Sequence, residues 1–172
     1  MQNIEVKAPL RDRLKVEKKL SALGARPMWV RNQMDTFYRV PEGWLKIREA
    51  EGKPAELISY RRATGEAGPR VSDYDVLVVG DGAAARRLLE RVLPADKVVE
   101  KERTLWIYEH TRIHLDRVAR LGDFLELETV ARDIPAEAAG EETRRVIDAL
   151  ALRDEEFIAV PYRELLQRPT AD

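Results

Sequence analysis

Arg112-Ile113-His114-Leu115-Asp116 and Leu125-Glu126-Leu127-Glu128 are the stretches that decide how this chain is built. In both, residues with charged or imidazole side chains alternate strictly with hydrocarbon ones. Side chains two apart share one face of a β-strand, so each segment carries an oily side and a charged side. The same period recurs in Asn3-Ile4-Glu5-Val6-Lys7, in Leu45-Lys46-Ile47-Arg48 and in Asp73-Tyr74-Asp75-Val76.

Working outward, turn signals at Glu42-Gly43, Gly52-Lys53-Pro54, Gly65 to Pro69, Gly80 to Gly82 and Leu121-Gly122 separate these segments. Strands are expected at 2–8, 26–39, 44–50, 56–62, 71–79, 97–108, 111–118 and 123–131. Eight strands joined mostly by hairpin-length turns predict a largely antiparallel sheet. Helices interrupt it. Val16, Leu20 and Leu23 make an apolar stripe ending at Gly24, residues 82–93 follow the N-cap candidate Asp81, and 141–152 carry Val146, Ile147 and Leu150. Pro161 is suited to opening a last short helix. Gly80-Asp81-Gly82 lacks the third glycine of a dinucleotide loop and reads as a turn plus N-cap.

The whole chain, 1–172, is expected to be a single domain of the α+β class. Apolar residues are 44%, yet no run of 18 apolar residues and no leader pattern occur, so a soluble, cytoplasmic protein without a membrane role is expected. Cysteine is absent, which removes disulfides, thiolate metal sites and a cysteine nucleophile. Thirty Lys and Arg balance 31 Asp and Glu, against the basic excess of a non-specific nucleic-acid binder. Charged residues nonetheless make up 35%, where about 25% is ordinary. A charged sheet face in water would explain alternation. If the eight strands close with helices outside, however, the apolar faces pack under the helices and the charged faces line a lumen. So many buried charges are costly unless they pair or meet a highly charged ligand. A polyanion held by Lys and Arg, with carboxylates available for a divalent metal, is the ligand class that follows.

The motifs also carry a resemblance. Asn3-Ile4-Glu5-Val6-Lys7 is similar to the Glu-x-Glu-x-Lys signature of the CYTH superfamily, the triphosphate tunnel metalloenzymes. Gln33-Met34-Asp35-Thr36-Phe37-Tyr38, Gly43-Trp44-Leu45-Lys46-Ile47-Arg48-Glu49, Val98-Val99-Glu100-Lys101-Glu102-Arg103, Arg112 to Asp116 and Gly122 to Glu128 resemble the branch of class IV adenylate cyclases and thiamine triphosphatase. The resemblance implies an eight-stranded antiparallel β-barrel tunnel with helices outside, binding a triphosphate-containing small molecule with Mg²⁺ or Mn²⁺. It implies metal-binding and catalytic carboxylates at Glu5, Glu126, Glu128 and Asp116. The phosphate-binding set it implies is Lys7, Lys46, Arg48, Arg61, Lys101, Arg103 and Arg112, with Arg62 as the alternative to Arg61. Hydrolysis of inorganic or small organic triphosphate, cyclisation of ATP to cyclic AMP and pyrophosphate, and binding without turnover all stay open.

One departure stands out: Asn3 replaces the first Glu of the signature, and an amide oxygen is a poorer ligand for a hard cation. Asp73 and Asp75 are weighed as bases, although strand polarity explains them equally well. His114 is expected to be a structural histidine bonded to a carboxylate. Trp29, Trp44 and Trp106 are expected to pack outward under helices, with Trp44 able to touch a base, and Gln33 to Tyr38 to be structural. Leu105 and Ile107 share parity with Lys101 and Arg103, which predicts a bulge or a strand leaving the tunnel. Outer helices and edge hydrophobics could supply an isologous patch for a homodimer.

Overall fold

The computed structural model describes residues 2–62 and 68–166, with Arg62 described for its backbone alone. The turn at Gly65 lies outside the described residues. In chain order the elements are β1 (Gln2–Pro9), α1 (Arg13–Leu23), β2 (Arg26–Tyr38), β3 (Trp44–Ala50), β4 (Ala55–Arg62), β5 (Arg70–Val79) and α2 (Gly82–Val92). They continue with β6 (Ala95–Tyr108), β7 (Thr111–Val118), β8 (Gly122–Val130), α3 (Ala136–Leu150), a 3₁₀ turn (Asp154–Glu156) and α4 (Tyr162–Leu165).

All eight strands close into one barrel in the order β1-β5-β4-β3-β2-β6-β7-β8. Every neighbouring pair is antiparallel. Closure leaves the period-two strands with an inside and an outside. The oily faces of β1, β6, β7 and β8 (Val6, Trp106, Ile113, Leu115, Leu125, Leu127) meet Leu20 of α1 and Val146, Ile147 and Leu150 of α3 in the main core. That core therefore sits outside the barrel wall, beneath the helices. Burying each such side chain contributes about 1.5–3 kcal/mol.

Local signals set the helix ends. The Asp12 side chain accepts from the Lys15 N–H, Asp81 accepts from Ala84 N–H, and Gly24 ends α1 at φ 89°. At Gly82 a Cβ would lie 2.5 Å from the Ala55 Cβ, so close packing of α2 on β4 requires glycine there. α3 begins at Ala136, a turn and a half earlier than expected, because Pro135 precedes a run of good helix formers. Among the described residues, no helix is long and apolar enough to cross a membrane.

β5 reverses the expected polarity. Ser72, Tyr74 and Val76 face the lumen, whereas Asp73 and Asp75 are exposed on the outside and are not placed to act as bases. Trp106 packs outward as expected, but Trp29 and Trp44 do not. Trp44 shares the inward parity of Lys46 and Arg48 and stacks on Tyr60, with ring centroids 5.3 Å apart and planes 12° from parallel. β6 pairs with β2 and β7 along nearly its whole length, and the β2–β6 register shifts twice, between Pro27 and Trp29 and between Thr36 and Tyr38.

Candidate active site: a charged tunnel

Two neighbouring chambers share part of the lumen wall. A central chamber of about 190 Å³ is lined by six cationic side chains (Lys7, Lys46, Arg48, Lys101, Arg103, Arg112) and five carboxylates (Glu5, Asp35, Glu56, Glu126, Glu128). An adjoining chamber of about 420 Å³ shares Arg48, Glu56, Arg103, Arg112 and Glu128 with it. At the opposite end the wall turns apolar: Phe37, Ile58, Tyr60, Val99 and Phe124 pack with Tyr162 of α4.

Nine of the eleven residues singled out from the sequence line the central chamber. Two do not. Arg61 lies on the outer face of β4, three-quarters exposed and paired with equally exposed Glu42, because Glu56, Ile58 and Tyr60 take the inward parity. Arg62 lies outside the described side chains. Asp116 has the inward parity but no access: it is fully buried, and its carboxylate is fully engaged. It accepts from Arg103 Nε at 2.6 Å and Nη2 at 2.5 Å, from Lys101 Nζ at 3.3 Å and from the Tyr162 hydroxyl at 3.0 Å. Asp116 therefore positions cations rather than holding metal.

A second knot does the same work across the lumen. Asp35 accepts from Lys46 Nζ at 2.8 Å and, as a bidentate fork, from Arg48 Nε at 2.8 Å and Nη2 at 3.0 Å. Register dictates this, since Asp35 stands directly opposite Arg48 on the β2–β3 ladder. Within the Gln33 to Tyr38 stretch, expected to be structural, Asp35 and Phe37 line the central chamber and Gln33 the adjoining one. Burial by itself would raise the Asp35 carboxyl, yet Arg48 and Lys46 hold it well below the usual range. Burial followed by the repulsion of Arg48 pulls Lys46 down to about 7, against the pull of Asp35. Lys101 is lowered in the same way, by burial and by Arg103.

The β1–β8 ladder brings the remaining acids together. Glu5 stands opposite Glu128, and Lys7 opposite Glu126. Glu126 binds Lys7 Nζ at 3.0 Å through Oε1 and Arg103 Nη2 through Oε2, so burial is overcome and its carboxyl falls well below the normal range. Glu128 lies 3.2 Å from His114 Nε2, as expected for a structural histidine. Burial would raise the Glu128 carboxyl, but His114 and Arg103 lower it. Burial and Arg103 in turn lower His114.

Like charges directly opposite on a ladder are destabilising, and at the Glu5–Glu128 pair each acid has a cationic or imidazole neighbour, with Arg70 Nε 4.0 Å from Glu5 and His114 beside Glu128. Asn3, next but one on β1, is 6% exposed, and its Oδ1 has no hydrogen-bond partner among the described residues. Two carboxylates and an orphaned amide oxygen are the donor set a hard divalent cation takes, with ligand phosphates and waters completing its shell. These residues, with Glu126 beside them on the same wall, fit Mg²⁺ or Mn²⁺.

Glu109, His110 and Glu142 form an acidic cluster outside the barrel. Glu142 is 2% exposed and accepts from His110 N at 2.9 Å, His110 Nδ1 at 3.0 Å and the Thr111 hydroxyl at 2.6 Å. Those bonds fasten the β6–β7 turn to α3 and account for the burial without a metal. Sequence reasoning missed Asp35 as a site residue, Glu56 and Tyr162. Parity with Phe37 was the available signal for Asp35; Glu56 sits in a segment without clean alternation, and Tyr162 arrives from a distant helix.

The CYTH domain model matches residues 1–162. The chain belongs to the CYTH family. The comparison with curated proteins gives no match. Among solved structures, the PH1012 protein of Pyrococcus horikoshii is 23% identical, with a TM-score of 0.83 over 95% of this chain and 98% of that one. An adenylate cyclase candidate from Vibrio parahaemolyticus is 17% identical, with a TM-score of 0.77 over 96% and 98%. The Hippeastrum adenylyl cyclase candidate HpAC1, described as having a dominant triphosphatase activity, is 14% identical, with a TM-score of 0.60 over 92% and 90%. At these identities the likeness is one of fold. The CYTH barrel is the shared frame, and the side chains above are what this chain does with it.

Proposed function

We propose that this CYTH protein binds a triphosphate compound in its tunnel together with Mg²⁺ or Mn²⁺ and hydrolyses its terminal phosphoanhydride. The observation that carries this reading is the balance of the central chamber: six cations against five carboxylates among the described lining residues, with Asp116 directly behind them, while the adjoining chamber adds Arg31 and Lys53. The nearly neutral central chamber attracts no polyanion by its own net charge. It offers prearranged guanidinium forks and ammonium groups to phosphate oxygens, plus acids for a metal that makes the ensemble cationic.

In this reading Glu5 and Glu128, with Asn3, hold the metal, which supplies charge neutralisation on the reacting phosphate. Arg48 donates an in-plane pair of hydrogen bonds to phosphate oxygens through its Nη1–Nη2 edge and Arg103 donates through Nη1, their angles fixed by Asp35 and by Asp116 with Glu126. Lys46 and Lys101 add compact charge beside them. Arg112, exposed at the junction of the two chambers, has no ion pair among the described residues and is available to the phosphate chain. Such preset donors stabilise charge that develops at the transferring group without reorganising during the reaction. The outer helices and edge hydrophobics remain the proposed basis for a homodimer, and a cytoplasmic setting the proposed location.

The test is product analysis with inorganic triphosphate and, separately, ATP, each with Mg²⁺, Mn²⁺ or EDTA. Orthophosphate released only with metal is the expected result. Cyclic AMP with pyrophosphate would make the protein a cyclase, and metal-linked binding without product would make it a sensor.

A further inference from the structure

The 420 Å³ chamber is larger than a phosphate chain requires, and its lining is of a different kind from the central chamber. β2 pairs with β6 from Arg26 onward but with β3 only from Gln33 to Tyr38, so the wall opens beside the first half of β2. Trp29 and Arg31 line this opening, with the Arg31 guanidinium 4.4 Å over the indole ring. Pro54 and Leu105 supply apolar wall. Two buried polar groups face an unfilled need here. Gln33 is 8% exposed and His114 4% exposed. Both line the chamber, and neither Gln33 Oε1 nor His114 Nδ1 has a hydrogen-bond partner among the described residues.

An unpaired buried acceptor costs about 1–3 kcal/mol, which a fold retains when a ligand satisfies it. An indole with a guanidinium on one face is a stacking platform for a planar ring. Inorganic triphosphate offers neither a ring nor an N–H donor. Arg48, Arg103 and Arg112 line both chambers, so a ligand whose phosphates lie on them borders the larger one.

We propose that this chamber is the subsite for the organic half of the substrate: a planar heterocycle stacked on Trp29 and Arg31, with an N–H or amino group donating to Gln33 Oε1. This rests on the tunnel reading above and narrows it to organic triphosphates of the nucleotide type, entering at the end away from Tyr162.

Calorimetric titration of the full chain with Mn²⁺ and either ATP or inorganic triphosphate tests it. Trp29→Leu and Gln33→Leu should each weaken ATP binding about 10-fold or more, the worth of one stacked base or one buried hydrogen bond. Inorganic triphosphate should bind both variants within about twofold of the original chain. Inosine triphosphate, with a carbonyl oxygen where ATP has its amino group, should bind the original chain more weakly than ATP and lose little in Gln33→Leu. ATP affinity unchanged in both variants would overturn the proposal. So would equal losses for ATP and inorganic triphosphate, which would make Trp29 and Gln33 structural. If the original chain binds inorganic triphosphate but not ATP, the subsite fails while the tunnel reading stands; if it binds neither, both fall.

Discussion

Lys46 offers the sharpest quantitative test of the tunnel. Burial and the neighbouring Arg48 bring its pKa down to about 7, even with Asp35 in contact. Phosphate oxygens bind the ammonium and not the amine, so ligand binding must take up a proton whenever Lys46 starts neutral. At pH 6 about nine-tenths of the free protein carries the charge, and at pH 8 about one-tenth. The contribution of Lys46 to the apparent Kd for inorganic triphosphate should therefore weaken about tenfold between pH 6 and pH 8, with close to one proton taken up per ligand at the higher pH. The ligand and its metal titrate as well, so the comparison is with Lys46→Arg, whose guanidinium stays charged throughout. The ratio of the two proteins' dissociation constants, measured by calorimetry in two buffers of different ionisation enthalpy, isolates Lys46. A Lys46→Met chain, which cannot carry charge, should show the low affinity at both pH values. A ratio constant from pH 6 to 8, or equal proton uptake by the original and Arg chains, would refute the reasoning and place Lys46 out of reach of the ligand.

Four further outcomes are expected. Asp116→Asn leaves the buried Lys101 without its paired anion and Arg103 with Glu126 alone, and should destabilise the fold by about 3–5 kcal/mol, read as a fall in Tm; a change under about 1 kcal/mol would contradict the positioning role. Glu128→Gln should abolish Mn²⁺ binding by the ligand-free chain in calorimetry while far-UV circular dichroism stays the same, and retained Mn²⁺ affinity would remove Glu128 from the metal site. Arg48→Ala should weaken inorganic triphosphate by about 1.5–3 kcal/mol, the worth of charge-assisted hydrogen bonds, whereas Arg61→Ala should alter neither binding nor stability by more than about 0.5 kcal/mol. Asn3→Glu should tighten Mg²⁺ binding and shift preference from Mn²⁺ towards Mg²⁺, since a carboxylate replaces an orphaned amide; unchanged affinities would mean that Asn3 does not face the ion.

The barrel was readable because two independent signals agree along most of the chain. Alternation gives each strand two faces, and the turn signals at Gly43, Gly52, Gly65 to Pro69, Gly80 to Gly82 and Gly122 give antiparallel order. Parity does not say which face turns inward, and β5 shows the consequence. In Asp73-Tyr74-Asp75-Val76 the acids point to water and the aromatic and aliphatic residues to the lumen, because this strand contributes to the apolar wall near Tyr60 and not to the phosphate cradle. Register is equally invisible in a single sequence. Parity and the family resemblance together put Asp116 among the metal-binding carboxylates; that it stands opposite Arg103 is known only once β6 and β7 are paired. The chamber beside Trp29 went unread for the same reason, since it depends on where β3 stops pairing with β2.

Asp35 and Asp116 resolve an apparent contradiction in the site. A tunnel built to hold four or five phosphate charges would bind most strongly if its cations were unopposed, yet the two arginines that reach deepest are each clamped by a buried acid. Unopposed, the cations would repel one another in a poorly hydrated space, and their side chains would splay until a ligand gathered them, at an entropic cost in each binding event. The buried acids meet that cost once, during folding, and keep the guanidinium planes set for in-plane donation. The concession is net charge, which falls to near zero in the central chamber. In the proposed reading a divalent ion on Glu5 and Glu128 restores it, so metal dependence would follow from the way the cations are held in place as well as from the chemistry of the reaction. On this argument EDTA should weaken triphosphate binding itself and not merely turnover.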